Sequence, residues 1–482
     1  MKILHVVSEL NPFVKTGGLA DVAAALPAAQ CEVGARARVL VPGYPGVLDA
    51  MRGVEVVWED DDLFRGGRAR LLRTQLELFA PATYVLDVPG FFDREGNPYL
   101  RNAMEEWPDN HLRFAALGWV AAHAFAGLDS EHRPDIVHAH DWQAGLAPAY
   151  LRYSKDVGPP SVMTIHNIDY AGRFPGAVFG ELSLPNEAFA MHGAEFYEQV
   201  SFLKAGLYYA DWITTVSPTY AREIQEEGRG GGLEGLLRDR TKRLTGILNG
   251  VDSAHWNPKT DRYILRRYGA DTIERKEENR RALRVRLGLA PSLEDPLFGV
   301  VSRLVPQKGM DWIAEVAPWL VERGGQLAVT GSGDPILERS LLDLAARFPG
   351  RVAVHIGYDE GLAHWMQAGA DAILVPSRSE PCGLTQLYAL QYGSAPVVRR
   401  TGGLADTVVD ATPESIADGT ATGFVFEEST AQGLKQALYR ALRIWRQKEL
   451  WSQLQQTGMA EDRGWQSVAR RYLELYRTIL TR

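Results

Sequence analysis

Cysteine is almost missing from this chain. Of 482 residues only Cys31 and Cys382 carry thiols, far apart and without metal-ligand spacing. That excludes a disulfide framework and points to a reducing compartment. Long apolar runs are also lacking. The longest, Phe114 to Ala122, stops at His123 and is far too short to span a bilayer, so no membrane partner is expected. Positive charge is not in excess: 52 Lys and Arg against 60 Asp and Glu leave a net charge of −8. This argues against broad nucleic-acid binding while leaving room for a local basic pocket. The opening stretch Met1–Glu9 turns polar too early for a secretory signal and reads as a first strand, so a soluble cytoplasmic protein is expected. There is no Walker loop GxxxxGK[ST] and no GxGxxG after the first strand, which disfavours a kinase, an ATPase or a dinucleotide dehydrogenase.

What is present is alternation. At roughly 150 residues per domain the length suits about three units, or two large ones. In the first half, strand signals at Ile3–Val7, Ala37–Val41, Tyr84–Val88, Ile136–Ala139, Val162–Ile165, Trp212–Val216 and Leu244–Leu248 are separated by helical stretches such as Asp109–Ala126. The second half repeats the pattern with strands at Leu297–Ser302, Gln326–Thr330, Val352–Ile356, Ala372–Val375 and Ala395–Val398. Such alternation predicts an α/β fold with open, mostly parallel sheets. Asn249-Gly250-Val251-Asp252 and Asn257-Pro258 mark a linker, and the charged run Arg262–Arg286 reads as a solvated helical connection. Asp60-Asp61-Asp62 reads as a solvated loop and Gly228–Gly232 as a flexible one. The last helix, about Gly464 to Leu480, has one wide apolar face and must dock against something.

A glycine loop occurs twice: Thr16-Gly17-Gly18-Leu19-Ala20-Asp21 and Thr401-Gly402-Gly403-Leu404-Ala405-Asp406 are identical. Each copy lies between a strand-like and a helix-like run. Paired glycines there let backbone N–H groups approach an anion such as phosphate. In open α/β sheets ligands bind beyond the carboxyl ends of strands. In the second half every strand ends in polar or glycine-rich residues: Arg303 and Lys308; Gly331 and Gly333; Gly357-Tyr358; Pro376–Gly383 with Glu380; and the second TGG loop. Two cations beside glycine loops suit a diphosphate. Glu380, in a proline-flanked turn, suits sugar hydroxyls or a developing positive charge. In the first half, His138-Ala139-His140-Asp141-Trp142 and His166-Asn167 follow strands. The histidines lack a second ligand set at metal spacing, so substrate-binding polar groups are expected there and no metal.

These motifs, with Ser302-Arg303-Leu304, Gln307-Lys308-Gly309 and Glu380-Pro381-Cys382-Gly383-Leu384, closely resemble bacterial glycogen synthases and the related starch synthases. The resemblance runs from the first strand to the last helix. It implies a GT-B fold: a Rossmann-like domain over 1–250 on the acceptor side, a second over 251–460 for the nucleotide-sugar donor, facing it across a deep cleft, and a helix over 461–482 crossing back to the first. It implies retaining transfer of glucose from ADP-glucose to the non-reducing end of an α-1,4-glucan, with no cofactor and no required metal. By motif, Lys15, Gly17, Gly18 and Asp21 would lie by the donor phosphate and sugar. Asp141 and His166 would contact the glucosyl unit or orient the acceptor, with Asn167 beside them. Arg303 and Lys308 would hold the diphosphate, and Gly331, Gly333, Thr401, Gly402 and Gly403 would border it. Tyr358 would stack on adenine. Glu380 would bind glucose hydroxyls, and Cys382, Gly383, Leu384 and Thr385 would line the sugar and phosphate site. Tyr99, His140 and Trp142 would sit by the cleft. One departure from many retaining relatives outside this family is Tyr388, which stands where they carry a second glutamate.

Overall fold

The structure is a computed structural model describing all residues except 103–104, 124–131, 292–293 and 482. The end of the predicted helix 109–126 therefore lies outside the described residues. The chain divides into two compact units, Met1–Gly250 with Trp465–Arg482, and Val251–Gly464.

The first unit contains strands β1 (Lys2–Val6), β2 (Arg36–Pro42), β3 (Met51–Asp60), β4 (Ala69–Leu76), β5 (Thr83–Asp87), β6 (Ile136–His140), β7 (Ser161–Ile165), β8 (Arg173–Pro175), β9 (Glu195–Phe196), β10 (Gln199–Ser201), β11 (Trp212–Thr215) and β12 (Leu244–Gly246). Nine form one sheet in the order β12-β11-β7-β6-β1-β2-β5-β4-β3; β8, β10 and β9 form a small second sheet. From β12 to β5 the main sheet is parallel. Its interior residues, such as Ile3, Val39, Val137 and Val162, are fully buried, as strands covered on both faces require. β4 and β3 finish the edge antiparallel. This edge ribbon has no counterpart in the sequence reading: β3 is mostly exposed, and its apolar residues Val54, Val56, Val57 and Trp58 are interspersed with Arg52, Gly53, Glu55 and Glu59. Asp60 ends β3 rather than lying in a loop.

The second unit contains β13 (Leu297–Val301), β14 (Gln326–Gly331), β15 (Val352–Ile356), β16 (Ala372–Val375), β17 (Ala395–Arg399) and β18 (Phe424–Phe426). They make one parallel sheet in the order β15-β14-β13-β16-β17-β18.

Both sheets have a switch point. In the first unit β1 to β5 lie on one side of the sheet, the chain reaching the edge at β3 and folding back through β4 to β5, before β6 is placed on the other side of β1. In the second the chain winds outward from β13 to β15, then returns to place β16 on the other side of β13. The loops leaving such a strand pair part in opposite directions and leave a crevice at the carboxyl ends. The fold therefore singles out the residues after β1 and β6, and those after β13 and β16.

The helix Trp465–Leu480 buries Val468, Ala469, Tyr472, Tyr476 and Ile479 against Val22, Leu26 and Ala29 of helix Gly18–Glu32. Each large apolar side chain covered this way stabilises by about 1.5–3 kcal/mol. The charged run Arg262–Arg286 is not a solvated connection. Its helix, Lys276–Leu287, turns Lys276, Arg280 and Arg284 inward and leaves Arg281 and Arg286 exposed. The Lys276 ammonium donates to Gln367 O, Ala368 O and Ser394 Oγ at 2.8–3.0 Å. Arg280 pairs with Asp371 at 3.1 Å. Long side chains satisfied by buried carbonyls and carboxylates let a polar sequence occupy an interior face.

Candidate active site

At the first switch point β1 runs into Ser8 and Glu9, and Glu9 is 3% exposed. Its carboxylate accepts from Thr16 N (2.6 Å), Thr16 Oγ1 (2.5 Å), Gly17 N (3.2 Å) and the Tyr99 hydroxyl (2.6 Å). Ser8 Oγ lies 2.8 Å from the same hydroxyl. The first TGG loop is thus shaped by a carboxylate of the protein itself, and of the glycine N–H groups expected to face phosphate, that of Gly17 is used on Glu9 together with that of Thr16. Lys15 and Gly17-Gly18 remain exposed. A Cβ built on either glycine meets nothing within 4 Å. Lys15 pairs with Asp21 at 2.7 Å, and Asp21 also accepts from Asn11 Nδ2 at 3.1 Å.

β6 ends in Asp141, held at φ 55°, a left-handed conformation uncommon outside glycine. The turn buries its carboxyl group and aims it at the loop after β7, where His166 N donates to Oδ1 at 2.7 Å. Burial pushes Asp141 up to about 7, against the lowering effect of the His166 and Asn167 amides. His166 and Asn167 are partly exposed at this edge. His140 and Trp142, expected beside a cleft, are interior at 1% and 7% exposure. Trp142 packs among Phe114, Phe174, Phe202 and Tyr99 and acts as a seat for the loop. Alternation along β6 explains the difference: His138 and His140 share one face of a strand covered on both sides.

That face also contains a residue the motifs did not reveal. His5 of β1 is paired in register with His138. His5, His138 and His140 bring their nitrogens within 4.8 Å of one another. Each of those nitrogens has a hydrogen-bond partner: Gln30, His140, Tyr476, Thr164, His5 or His166. The array is a hydrogen-bonded chain, and His5 joins it from a strand where an isolated histidine was the one sign of it in the sequence.

At the second switch point the loop after β13 carries Arg303 and Lys308, and the loop after β16 carries Glu380. Lys308 Nζ lies 2.5 Å from Glu380 Oε2, with side-chain exposures of 18% and 10%. Ser377 Oγ donates to the same carboxylate oxygen at 2.8 Å. A small pocket of about 40 Å³ opens beside them, lined by Ser302, Lys308, Glu380, Gly383, Leu384 and Thr385 among others. Arg303 is exposed, its nearest partner Gln307 Oε1 at 3.5 Å. Tyr358 is 79% exposed. Cys382 is buried, its carbonyl and that of Gly383 held by Gln386 Nε2 at 3.0 and 2.8 Å.

The glycines of this unit serve the backbone. A Cβ on Gly331 would lie 1.8 Å from Ser302 O, and one on Gly333 would lie 2.5 Å from Leu304 O. The second TGG loop is buried with Thr401. A Cβ on Gly402 would meet Glu380 O at 1.9 Å, and one on Gly403 would meet Cys382 O at 1.9 Å. Gly403 N donates to Glu380 O and Pro381 O, both at 3.1 Å. This loop is therefore the buttress of the Glu380 turn, where the sequence suggested an open phosphate cradle.

The chain resembles known proteins along its whole length. Residues 2–239 match the starch synthase catalytic domain family, and residues 295–443 match the glycosyl transferases group 1 family. The catalytic domain of starch synthase IV from Arabidopsis thaliana bound to ADP and acarbose superposes with a TM-score of 0.88 at 31% identity, covering 100% of this chain and 99% of that one. A sucrose-phosphate synthase from Thermosynechococcus elongatus (TM-score 0.59, 17% identity, 100% and 99% covered) and a glycosyltransferase from Rickettsia africae (0.56, 16%, 99% and 98%) share the GT-B fold. With its end-to-end likeness to a starch synthase and its polar groups gathered at two Rossmann-like switch points, this chain belongs to the glycogen and starch synthase family of GT-B glycosyltransferases.

Proposed function

We propose that this protein is a cytoplasmic glycogen synthase: it transfers glucose from ADP-glucose to the non-reducing end of an α-1,4-glucan with retention and releases ADP. The observation that carries the reading is the buried Lys308–Glu380 pair at the second switch point of a chain similar throughout to a starch synthase bound to ADP.

In the second unit, Lys308 and Arg303 bind the diphosphate. The Lys308 ammonium has three N–H donors and gives one to Glu380, leaving others for phosphate oxygens. Tyr358 stacks on adenine. Glu380, fixed by Lys308 and Ser377, accepts from glucose hydroxyls and stabilises positive charge developing at the anomeric carbon. Cys382, Gly383, Leu384 and Thr385 border the sugar and phosphate. In the first unit, Lys15, Gly17 and Gly18 attend the donor phosphate and sugar, Asp21 shapes their loop, and Asp141, His166 and Asn167 orient sugar hydroxyls. In the transfer the anomeric carbon–phosphate oxygen bond breaks and a bond to the acceptor 4-oxygen forms. The acceptor proton passes to the leaving diphosphate. Glu380 has a positional and electrostatic role, since its carboxylate is already engaged by two donors.

The test is a donor panel with purified protein and glycogen. Incorporation of label from ADP-[14C]glucose with release of ADP is expected. A preference for UDP-glucose would replace the donor assignment, and no incorporation from any nucleotide-glucose would overturn the activity.

A further inference from the structure

The buried histidines of the first unit form a directed chain that ends at His166. Gln30, fully buried on helix Gly18–Glu32, places Oε1 2.8 Å from His5 Nε2. His5 Nδ1 is 3.0 Å from His140 Nε2, and His140 Nδ1 is 3.0 Å from His166 Nε2. Among the described residues no hydrogen bond is found at His166 Nδ1. Burial lowers His5 to about 4 and His166 to about 3, and lowers His140 well below the usual imidazole range. All three rings are thus neutral near pH 7, and each has one N–H and one lone pair.

An amide oxygen only accepts. With Gln30 Oε1 toward His5, the His5 proton must sit on Nε2, which leaves Nδ1 as an acceptor. His140 must then donate from Nε2 and accept at Nδ1, and His166 must donate from Nε2. One amide therefore fixes three tautomers in sequence. A second branch meets the other end of the amide. Gln30 Nε2 donates to the Tyr476 hydroxyl at 3.3 Å, and that hydroxyl lies 2.6 Å from His138 Nδ1. His138 Nε2 lies 2.5 Å from Thr164 Oγ1, completing the branch.

We propose that Gln30, oriented by Tyr476 of the last helix, is a positioning residue that holds His166 as the Nε2–H tautomer, so that its Nδ1 lone pair accepts a hydrogen bond from a substrate hydroxyl. This rests on the glucosyl-transfer reading for the identity of the hydroxyl, but not for the state of the ring. It also gives the docked C-terminal helix a chemical task, because its Tyr476 sets a residue at the opposite end of the chain of imidazoles.

The experiment is two-bond 15N–1H correlation on protein labelled with 15N-histidine at neutral pH, for wild type, Gln30→Met, Gln30→Glu and Tyr476→Phe, with kcat and KM for ADP-glucose measured alongside. In wild type, His5, His140 and His166 should all appear as Nε2–H forms. Gln30→Met fills the same space without an acceptor and should leave His166 in mixed tautomers. It should lower kcat by about 3- to 10-fold, with KM for ADP-glucose moving less than about 2-fold. Gln30→Glu keeps an acceptor oxygen and should retain the wild-type tautomers. Tyr476→Phe, which leaves the His5 contact intact, should loosen the amide and mix the tautomers even if Gln30→Met fails to fold. An Nδ1–H form of His166 in wild type, or unchanged tautomers in the Gln30 and Tyr476 variants, would overturn the proposal. Nε2–H rings in a protein that transfers glucose from no donor would support it while overturning the function.

Discussion

The two copies of TGGLAD share six residues and the same strand–loop–helix frame, yet the fold uses them in opposite ways. In the first copy Gly17 and Gly18 are exposed, with open space where a side chain would be. In the second, Gly402 and Gly403 are buried, and a Cβ on either would lie 1.9 Å from a carbonyl oxygen of the Glu380–Cys382 backbone. Both loops use N–H groups on a glutamate. The first binds the Glu9 carboxylate, and the second binds the Glu380 carbonyl. One copy is a surface that a ligand can approach, and the other is a wedge that fixes a charged side chain at the next turn. Identity of sequence at a glycine loop therefore does not fix its job. What packs on the missing side chains does.

The comparison breaks most sharply at the second copy. Gly403→Ala must move the Cys382 carbonyl and should cost more than about 3 kcal/mol, read as a large fall in the denaturation midpoint. Gly17→Ala, with nothing to meet, should stay within about 1 kcal/mol of wild type. Equal shifts would remove the distinction. Next in size is the group that the wedge supports. Glu380→Gln should lower turnover by about 10- to 100-fold, the loss expected when a charged hydrogen bond is weakened in the transition state. Near-normal turnover would mean that the buttress supports no chemistry.

On the first unit, Glu9→Gln replaces an anion that takes four hydrogen bonds with a neutral amide. It should reduce kcat/KM about 10-fold while leaving the second unit's stability unchanged, and an unaffected kcat/KM would show that the open loop needs no internal anion. The smallest effect is one of pH. Asp141 is raised to about 7 in the fold from an ordinary 3.8, so between those values the folded state holds a proton that the unfolded state has lost. Stability from this group is then present at low pH and lost as pH rises through about 7. Asp141→Asn should consequently gain stability relative to wild type between pH 5 and pH 8, by at least about 1 kcal/mol. The histidines act with the opposite sign: with depressed values in the fold, they favour the folded state above their ordinary pKa of 6.5 and lose that contribution as pH falls. A constant difference between Asp141→Asn and wild type across that range would show that Asp141 is not desolvated.

The sequence was legible where apolar runs and motif residues coincide. Every parallel strand of both sheets except β18 was visible as a short apolar run bounded by turns, and the docking face of Trp465–Leu480 was visible in its periodicity. Lys308 and Glu380, 72 residues apart in sequence, were both identified, although their 2.5 Å pairing was not. The rest was hidden for physical reasons. β3 is a mostly exposed edge strand whose apolar residues are interrupted by charge. The inward cations of helix Lys276–Leu287 are satisfied by distant carbonyls, which no local pattern encodes. Glu9 and Gln30 carry no motif, because each matters only through what the fold brings to it: Thr16 and Tyr99 in one case, His5 and Tyr476 in the other.

Backbone hydrogen exchange over the two loops, with and without ADP and a maltooligosaccharide, tests the contrast between them most directly. The expected result is slowed exchange across Lys15–Leu19 on adding the ligands, with Gly403 and Leu404 already slow in the free protein and little changed. Fast exchange at Gly403 and Leu404 in the free protein that becomes slow with ligand, while Lys15–Leu19 does not respond, would contradict it.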